Sequence, residues 1–304
     1  SILNKAHTQN VIKNVMIDGK LFSDQQTIKN AFSDYFSALY DTKPSINKEL
    51  LPTPPRISDE CFNALNCPPT LSEIESIIKR TKTTSAPGMD GLTYSVYTVP
   101  RLANLLHRVC HAVWNGSPPP QSWLCAAIRP IPKEDKDPSL PSSYRPISLL
   151  NTDYKIFTGV FNMRLQSHLT ELFPQHQTGF IKGRSTHLAA LRVSHKLCND
   201  PFAMAVLLDF EKAYDRVSHD WLFHVLDSVG LPSPLIKFLS YTHRNALSQV
   251  IVNNCLTSAF PLKSGVRQGD PLAPLLFNYA LEPLLIALQN EAIFAQAHAD
   301  DTAI

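Results

Sequence analysis

The sequence is poor in glycine, in charge and in long apolar runs, and each shortage excludes a class of protein. Only 10 of its 304 residues are glycine, against 24 prolines, which excludes a collagen-like fibre. Charged residues make up 18% and hydrophobic residues 44%, a balance that excludes a disordered chain and a coiled coil. No apolar run reaches the roughly 18 residues of a membrane span. Residues 1–10 lack the apolar core of a signal peptide, so secretion is not predicted.

The cysteines form no metal-binding pattern. No C-x-x-C pair occurs, and no histidine falls at zinc-ligand spacing from a cysteine pair. The pattern therefore predicts reduced, mostly structural thiols in an intracellular protein.

Charge is distributed unevenly along the chain, although the net charge is only +2. Between Arg129 and Lys196 there are ten Lys and Arg against five Asp and Glu, a balance of +5. The rest of the chain carries 18 Lys and Arg against 21 Asp and Glu, a balance of −3. A basic middle beside an acidic remainder favours a protein that holds a polyanion in one place and cations in another. Chance unevenness explains the same counts, and this alternative stays open here.

Periodicity and composition predict an N-terminal extension and several individual helices and strands. Residues 1–45 are predicted to be helical and are followed by a Pro-rich linker at 51–58, which together form an N-terminal extension over residues 1–58. The residues Thr70-Leu-Ser-Glu73 resemble a capping box that begins a helix. The apolar run 203–208 predicts a buried strand that ends at a carboxylate, and the run 271–290 predicts a strongly apolar helix.

Two groups of carboxylates follow apolar segments. Asp209 comes directly after the run 203–208, and Asp300 and Asp301 follow a second apolar stretch. Three converging carboxylates would bind hard cations such as Mg²⁺, and two such ions can clamp the attacking and leaving oxygens of a phosphoryl displacement. The alternative is that each aspartate merely caps a strand or a helix.

Several sequence blocks, in order over about residues 80–304, resemble the reverse-transcriptase domain of non-LTR (LINE-type) retrotransposons. The blocks are Ser85-Ala-Pro-Gly-Met-Asp-Gly91, Ile128-Arg-Pro-Ile-Pro-Lys133, Tyr144-Arg-Pro-Ile-Ser-Leu149, Gln177-Thr-Gly-Phe-Ile-Lys-Gly-Arg-Ser185, Asp209-Phe-Glu-Lys-Ala-Tyr-Asp215, Ser264-Gly-Val-Arg-Gln-Gly-Asp-Pro-Leu-Ala-Pro274 and His298-Ala-Asp-Asp301. The resemblance implies an α+β right-hand polymerase with fingers over 59–202, an incomplete palm over 203–304, and no thumb.

The resemblance implies a metal site and a sugar gate. Asp209, Asp300 and Asp301 would be the catalytic carboxylates that hold two Mg²⁺ ions, with Mn²⁺ as a possible substitute, and the backbone carbonyl of Phe210 would complete the site. Tyr214 would lie under the incoming sugar, where its ring would reject a 2′-hydroxyl. Simple core packing is the alternative role for Tyr214.

The resemblance also implies contacts with the nucleotide and the template. Lys133 and Arg145 would hold the triphosphate, since arginine offers a bidentate fork and lysine a point charge. Gln268 and Gly269 would lie against the nucleotide and the template strand, where glycine permits close backbone approach. Arg184 would contact nucleic acid. For Lys133 and Arg184, a solvated surface side chain is the alternative.

The sequence departs from the family pattern at three positions and at its end. His298 replaces the usual aromatic residue, while Asp270 and Ala273 stand where Cys and Ser are common, and the extra anion is expected to weaken triphosphate binding. The chain ends three residues after Asp301, so we expect the return strand of the Asp-Asp hairpin to be missing and the isolated chain to be unstable or inactive.

The function implied is RNA-directed DNA polymerase, with an RNA template, a DNA primer and dNTPs as partners, no membrane, and an unknown oligomeric state. The location implied is the cytoplasm with nuclear access. One alternative is a non-catalytic nucleic-acid-binding remnant of such an element. Another is an RNA-dependent RNA polymerase of the same architecture, against which Tyr214 argues.

Overall fold

A computed structural model of the chain describes residues 11–42, 46–49, 51–200 and 202–304, which mix helices with short strands. The helices are α1 (Gln25–Tyr40), α2 (Asp59–Leu65), α3 (Leu71–Arg80), α4 (Tyr94–Tyr97), α5 (Pro100–Trp114), α6 (Gln121–Leu124), α7 (Thr152–Gln166), α8 (Leu169–Leu172), α9 (Thr186–Asn199), α10 (His219–Ser228), α11 (Ser233–Arg244) and α12 (Ala273–Asn290). Short 3-10 helices span Pro141–Ser143 and Ala213–Arg216. Of these helices, none has the length and apolar character needed to cross a membrane.

The strands form three sheets. They are β1 (Val15–Ile17), β2 (Lys20–Phe22), β3 (Cys125–Pro132), β4 (Tyr144–Leu149), β5 (Leu207–Leu208), β6 (Leu247–Val252), β7 (Cys255–Leu256), β8 (Phe260–Pro261), β9 (Gln296–His298) and β10 (Asp301–Ala303). One sheet is the hairpin β1-β2, the second has the order β4-β3-β6-β7 with β8 paired to β6, and the third has the order β5-β10-β9. Since β6 runs parallel to β3, the second sheet joins segments from both sides of residue 203.

The N-terminal part of the described chain is a hairpin followed by a helix, so the prediction of an all-helical segment over residues 1–45 is wrong for β1 and β2. The two strands meet at Asp18-Gly19, both with positive φ, and an Asp-Gly pair is a strong signal for a tight hairpin turn. Helix α1 then begins after Asp24, whose side chain accepts from Thr27 N at 2.8 Å. Residues 1–10 and 43–45 lie outside the described residues.

Helices α3 and α12 confirm two other sequence predictions. The hydroxyl of Thr70 accepts from Glu73 N, and the Glu73 carboxylate accepts from Thr70 N at 2.8 Å, which is the predicted capping box. The apolar run at 271–290 is α12, and most of its side chains are buried. Both patterns depend on neighbours in sequence, so the sequence alone can specify them.

Two apolar cores hold these elements. The larger one surrounds α7, where the Phe157 ring contacts Trp123, Phe161 and Phe238 at centroid distances of 4.5–5.3 Å. The smaller one lies between α1 and the β4-β3-β6 sheet, and in it Phe32 meets Tyr144 edge-on at 5.0 Å. Helix α1 therefore packs against the β4-β3-β6 sheet and shares its apolar core.

The β5-β10-β9 sheet differs from prediction in two ways. The expected buried strand over 203–208 is only two residues long, and Leu207 is 79% exposed, because β5 is the edge of its sheet in the described chain. The return strand that we expected to be missing is present: β10 pairs antiparallel with both β9 and β5. Three residues after the turn are therefore enough to join the two carboxylate-bearing segments.

A buried ion pair ties α3 to α7. The Arg164 guanidinium donates to both oxygens of Glu73 at 2.7 Å and to the carbonyls of Cys67 and Pro68 at 2.7 and 3.0 Å. Its side chain is 7% exposed, so the charge is removed from water and its hydrogen bonds must replace hydration.

We therefore expect Arg164→Met to lower the free energy of unfolding by about 3 kcal/mol, because it leaves a half-buried Glu73 carboxylate without its cation. The matched control is Arg244→Met, since Arg244 pairs with Asp220 at 2.7 Å while half of its side chain is exposed, and such pairs contribute less than about 1 kcal/mol. Urea denaturation measures both. Equal losses would contradict the role given to the Arg164 pair.

Candidate active site

A cleft of about 890 Å³ lies between β4, the turn at residues 209–215 and the β9–β10 hairpin. Its lining includes all of the site residues predicted from the sequence except Arg184. These residues are Lys133, Arg145, Asp209, Phe210, Tyr214, Gln268, Gly269, Asp300 and Asp301. Segments far apart in the sequence therefore meet on one surface.

The three aspartates are placed by one small sheet. Thr302 of β10 pairs with Leu208 of β5, so the same antiparallel register carried one residue further sets Asp209 across from Asp301. Asp300 lies in the two-residue turn between β9 and β10, next to Ala299, which has a φ of 58°. The carboxylates thus lie at adjoining ends of β5 and of the hairpin.

The block 177–185 supports this turn through hydrogen bonds. The buried Gln177 side chain accepts from Ala299 N at 3.0 Å and from Gly179 N at 2.7 Å, while Thr178 N donates to Ala297 O at 2.9 Å. These bonds fix the backbone on which Asp300 is carried. The conformation of the hairpin is therefore set by a segment about 120 residues earlier in the chain.

The carboxylates repel one another. Burial raises the pKa of Asp300, and the negative charges of Asp301 and Asp209 raise it further. Within the described ranges, no three His, Cys, Asp or Glu side chains are gathered closely enough to hold one metal ion. The donor set still fits a hard divalent cation in its chemistry and its common cleft, because carboxylate oxygens are the ligands of Mg²⁺ and a cation would relieve the repulsion.

Cations line the same cleft. Burial lowers the pKa of Lys133, and the positive charges of Lys212 and Arg145 lower it further, so these three side chains lie within reach of one another. The Lys212 ammonium donates to Ser142 O at 2.9 Å, and its backbone has a φ of 55°. We did not single out Lys212 from the sequence, although it stands three residues after Asp209 in a quoted block. The cluster is suited to a polyanion such as a triphosphate.

Tyr214 is held rigidly at the cleft. Its ring stacks on Phe277 with centroids 4.6 Å apart and an interplanar angle of 11°. Burial raises the pKa of its hydroxyl, and the Asp300 charge raises it further. The ring is therefore packed against the core on one face while it lines the cleft, and its role toward the sugar stays a prediction.

The backbone of Gln268 and Gly269 lies in close contact with β4. Gln268 O accepts from Ser148 N at 2.7 Å, and a Cβ on Gly269 would lie 2.4 Å from Ser148 O. The absence of a side chain at Gly269 thus permits a close approach to β4, whereas its expected approach to the nucleotide and the template strand stays a prediction. The Gln268 amide donates to Asp215 Oδ1 at 3.0 Å.

Arg184 lies outside the cleft lining. Its guanidinium donates to the backbone carbonyls of Phe173, Pro174 and Gln177 at 2.6–2.8 Å, so it fastens the loop that supports the hairpin. Contact between Arg184 and nucleic acid stays a prediction.

The departures from the family pattern are accommodated by hydrogen bonds. The His298 ring lies between the hydroxyls of Thr178 and Thr186 at 3.1 and 3.4 Å. The buried Asp270 carboxylate accepts from Tyr154 Oη at 2.5 Å and from Leu272 N at 2.9 Å. Asp270 lines the cleft, but it also has one donor on α7 and another at the start of α12, so its charge is partly satisfied within the protein.

Two further cleft residues were not predicted from the sequence. Asp215 is 1% exposed, and burial raises its pKa to about 6, although bonds from Tyr40 and Gln268 oppose the shift. Phe180 is half exposed and has a φ of 59°, a strained conformation for a bulky residue that is concentrated at functional sites. Both stand inside quoted blocks, but residue type alone reveals neither the burial nor the strain.

The raised pKa of Asp215 predicts a pH-dependent stability. A carboxyl whose pKa is raised by folding keeps its proton longer in the folded chain, so stability falls as pH rises from 3.8 through about 6. Asp215→Asn removes this titration and keeps an acceptor oxygen. Relative to wild type, we expect the free energy of unfolding of the variant to rise by about 2–3 kcal/mol between about pH 4 and pH 7.5.

Urea denaturation at the two pH values measures this difference, with exposed Asp227→Asn as the matched control. A stability difference that does not change with pH would contradict the burial of an ionisable Asp215.

Comparisons with known proteins agree on one family. Residues 131–304 match the family described as "Reverse transcriptase (RNA-dependent DNA polymerase)". The chain is 30% identical over 282 residues to the transposon TX1 149 kDa protein of Xenopus laevis, which covers 90% of this chain and 22% of that protein.

Two insect proteins are similar to shorter parts of the chain. Identity is 30% to the probable RNA-directed DNA polymerase from transposon BS of Drosophila melanogaster, over 69% of this chain and 24% of that protein. It is 32% to the Pol polyprotein of the type-1 retrotransposable element R2 of Popillia japonica, over 72% of this chain and 30% of that protein. The chain thus spans less than a third of the length of these curated relatives.

Proposed function

Because the chain belongs to the reverse transcriptase (RNA-dependent DNA polymerase) family of non-LTR retrotransposons, we propose that its cleft extends a DNA primer along an RNA template. One observation carries the proposal: carboxylates from two separate segments line the same cleft as the cation cluster of Lys133, Arg145 and Lys212. That division of charge suits a reaction in which a triphosphate meets an attacking hydroxyl.

In this proposal the sheet β5-β10-β9 is the palm, and β3, β4 and the loop between them belong to the fingers. Residues 59–202 and 203–304 then correspond mainly to fingers and palm, with β6 shared by the fingers sheet. Helix α1 and the hairpin before it form the N-terminal extension. The cleft lies where these parts meet.

The carboxylates of Asp209, Asp300 and Asp301 and the carbonyl of Phe210 would hold the divalent cations that the family generally uses. Two Mg²⁺ ions held there, or Mn²⁺ in their place, would supply charge that neutralises phosphate oxygens and favours ionisation of the primer hydroxyl. The reaction joins the primer 3′-oxygen to the α-phosphorus, breaks the bond to pyrophosphate, and releases the hydroxyl proton.

The remaining cleft residues orient the nucleotide. Lys133, Lys212 and Arg145 offer charge-assisted hydrogen bonds to the triphosphate, which places the α-phosphorus before the carboxylates. The Tyr214 ring, fixed by Phe277, gives the sugar a rigid floor. Gln268 and Gly269, pinned to β4, form the wall beside it.

Asp209→Asn is the first test of this function. Loss of one carboxylate charge is expected to reduce extension of oligo(dT) on poly(rA) with dTTP and Mg²⁺ by at least about 100-fold, while template binding persists. The matched control is Asp227→Asn, an exposed aspartate on α10.

Undiminished extension by Asp209→Asn would contradict the assignment. Salt-dependent binding of an RNA–DNA hybrid by the wild-type chain, without extension at any Mg²⁺ or Mn²⁺ concentration, would instead select the non-catalytic alternative.

Tyr214→Val tests the sugar floor. Removal of the ring opens space beside the sugar, so the preference for dNTP over rNTP, measured as the ratio of the two kcat/KM values, should fall about tenfold or more. Exposed Tyr241→Val is the control for loss of a tyrosine. If the ratio of the two kcat/KM values does not change, Tyr214 does not select the sugar and its role is core packing.

A further inference from the structure

Asp215 is a buried carboxylate that joins three segments at the cleft. Its Oδ1 accepts from Tyr40 Oη at 2.8 Å and from Gln268 Nε2 at 3.0 Å. Tyr40 ends α1, whereas Gln268 belongs to the block that lines the nucleotide wall. Both donors converge on one oxygen, so this atom couples the N-terminal helix to a cleft side chain.

The backbone around Asp215 is fixed without its carboxylate. Gly265 N donates to Val217 O and Val266 N to Tyr214 O, both at 2.8 Å, and Ser264 Oγ donates to Asp215 O at 3.0 Å. A Cβ on Gly265 would lie 2.7 Å from Asp215 O, so the two segments are as close as their main chains allow. The carboxylate is therefore not needed to bring the segments together, and what it controls is the direction of the Gln268 amide.

Tyr40 is in turn held in place. It is 2% exposed, and its carbonyl accepts from Lys263 N at 2.9 Å, which binds the end of α1 to the strand region that precedes Gln268. Its hydroxyl has the Asp215 carboxylate as acceptor, so removal of that hydroxyl alone leaves Asp215 with one donor fewer.

We propose that Asp215 is a positioning residue that orients the Gln268 amide toward the incoming nucleotide, and that Tyr40 of α1 holds Asp215 for this task. The inference rests on the proposed function of the cleft. It makes the N-terminal helix a determinant of nucleotide affinity, although α1 itself is outside the cleft lining.

The test measures the Kd of dTTP for the full chain bound to poly(rA) and a dideoxy-terminated oligo(dT), so that no turnover is required. Tyr40→Phe, Asp215→Leu and Gln268→Ala should each weaken dTTP binding about 5- to 10-fold, the loss expected for one oriented hydrogen bond. Asp215→Asn retains an acceptor oxygen and should restore affinity to within about 3-fold of wild type.

A double variant separates positioning from general destabilisation. If Asp215 acts through Gln268, then Asp215→Leu combined with Gln268→Ala binds dTTP no more weakly than Gln268→Ala alone. Tyr40→Phe combined with Gln268→Ala gives the same comparison in a chain that loses only one hydroxyl. Tyr97→Phe, on α4 and away from the cleft, is the control for a lost phenol.

The inference is overturned if the losses of dTTP affinity multiply in both double variants. It is also overturned if Asp215→Asn binds dTTP as weakly as Asp215→Leu. If Asp215→Leu does not fold, the comparison of Tyr40→Phe combined with Gln268→Ala against Gln268→Ala alone decides whether the inference holds. Wild-type extension is measured separately: a wild-type chain that binds dTTP without extending primer contradicts the proposed function, while the pattern among the variants still decides the role of Asp215.

Discussion

Repulsion among three carboxylates at adjoining strand ends is the constraint on which the rest of the site depends. Asp209, Asp300 and Asp301 are brought together by the pairing of β10 with both β5 and β9. Bringing like charges together is unfavourable: burial raises the pKa of Asp300, and the charges of Asp301 and Asp209 raise it further. The fold must therefore supply a rigid hairpin and positive charge in the same cleft.

The surrounding segments meet both requirements. The Gln177 side chain accepts from Ala299 N in the hairpin turn and from Gly179 N in its own loop, and Arg184 fastens that loop. In the same cleft, Lys133, Lys212 and Arg145 concentrate positive charge despite their own mutual repulsion. A cleft that holds charges of both signs is at its most favourable when cations and a polyanion are bound together, as the proposed nucleotidyl transfer requires.

Local patterns in the sequence predicted local structure well. The capping box at Thr70 and the apolar helix α12 were both foreseen, because their signals lie within a few residues. The ordered blocks also identified the residues that line the cleft. The helical prediction over residues 1–45 fails at the N-terminal hairpin. Helical periodicity begins only after Asp24, and the Asp18-Gly19 turn before it belongs to the hairpin.

Features that depend on tertiary contact were beyond the sequence. Asp215 and Lys212 are charged residues in a polar block. The sequence alone does not distinguish a charged side chain that joins several segments by hydrogen bonds from one that is solvated. The sequence predicts an anion near the nucleotide at Asp270, and Asp270 does line the cleft, but its partners Tyr154 and Leu272 are evident only in the fold.

The binding of metal ions by the three aspartates is tested most directly by anomalous diffraction from crystals of the chain with template–primer, dTTP and Mn²⁺. We expect manganese peaks bonded to Asp209 and to the Asp300–Asp301 hairpin; well-ordered carboxylates without manganese between them would contradict a shared metal site.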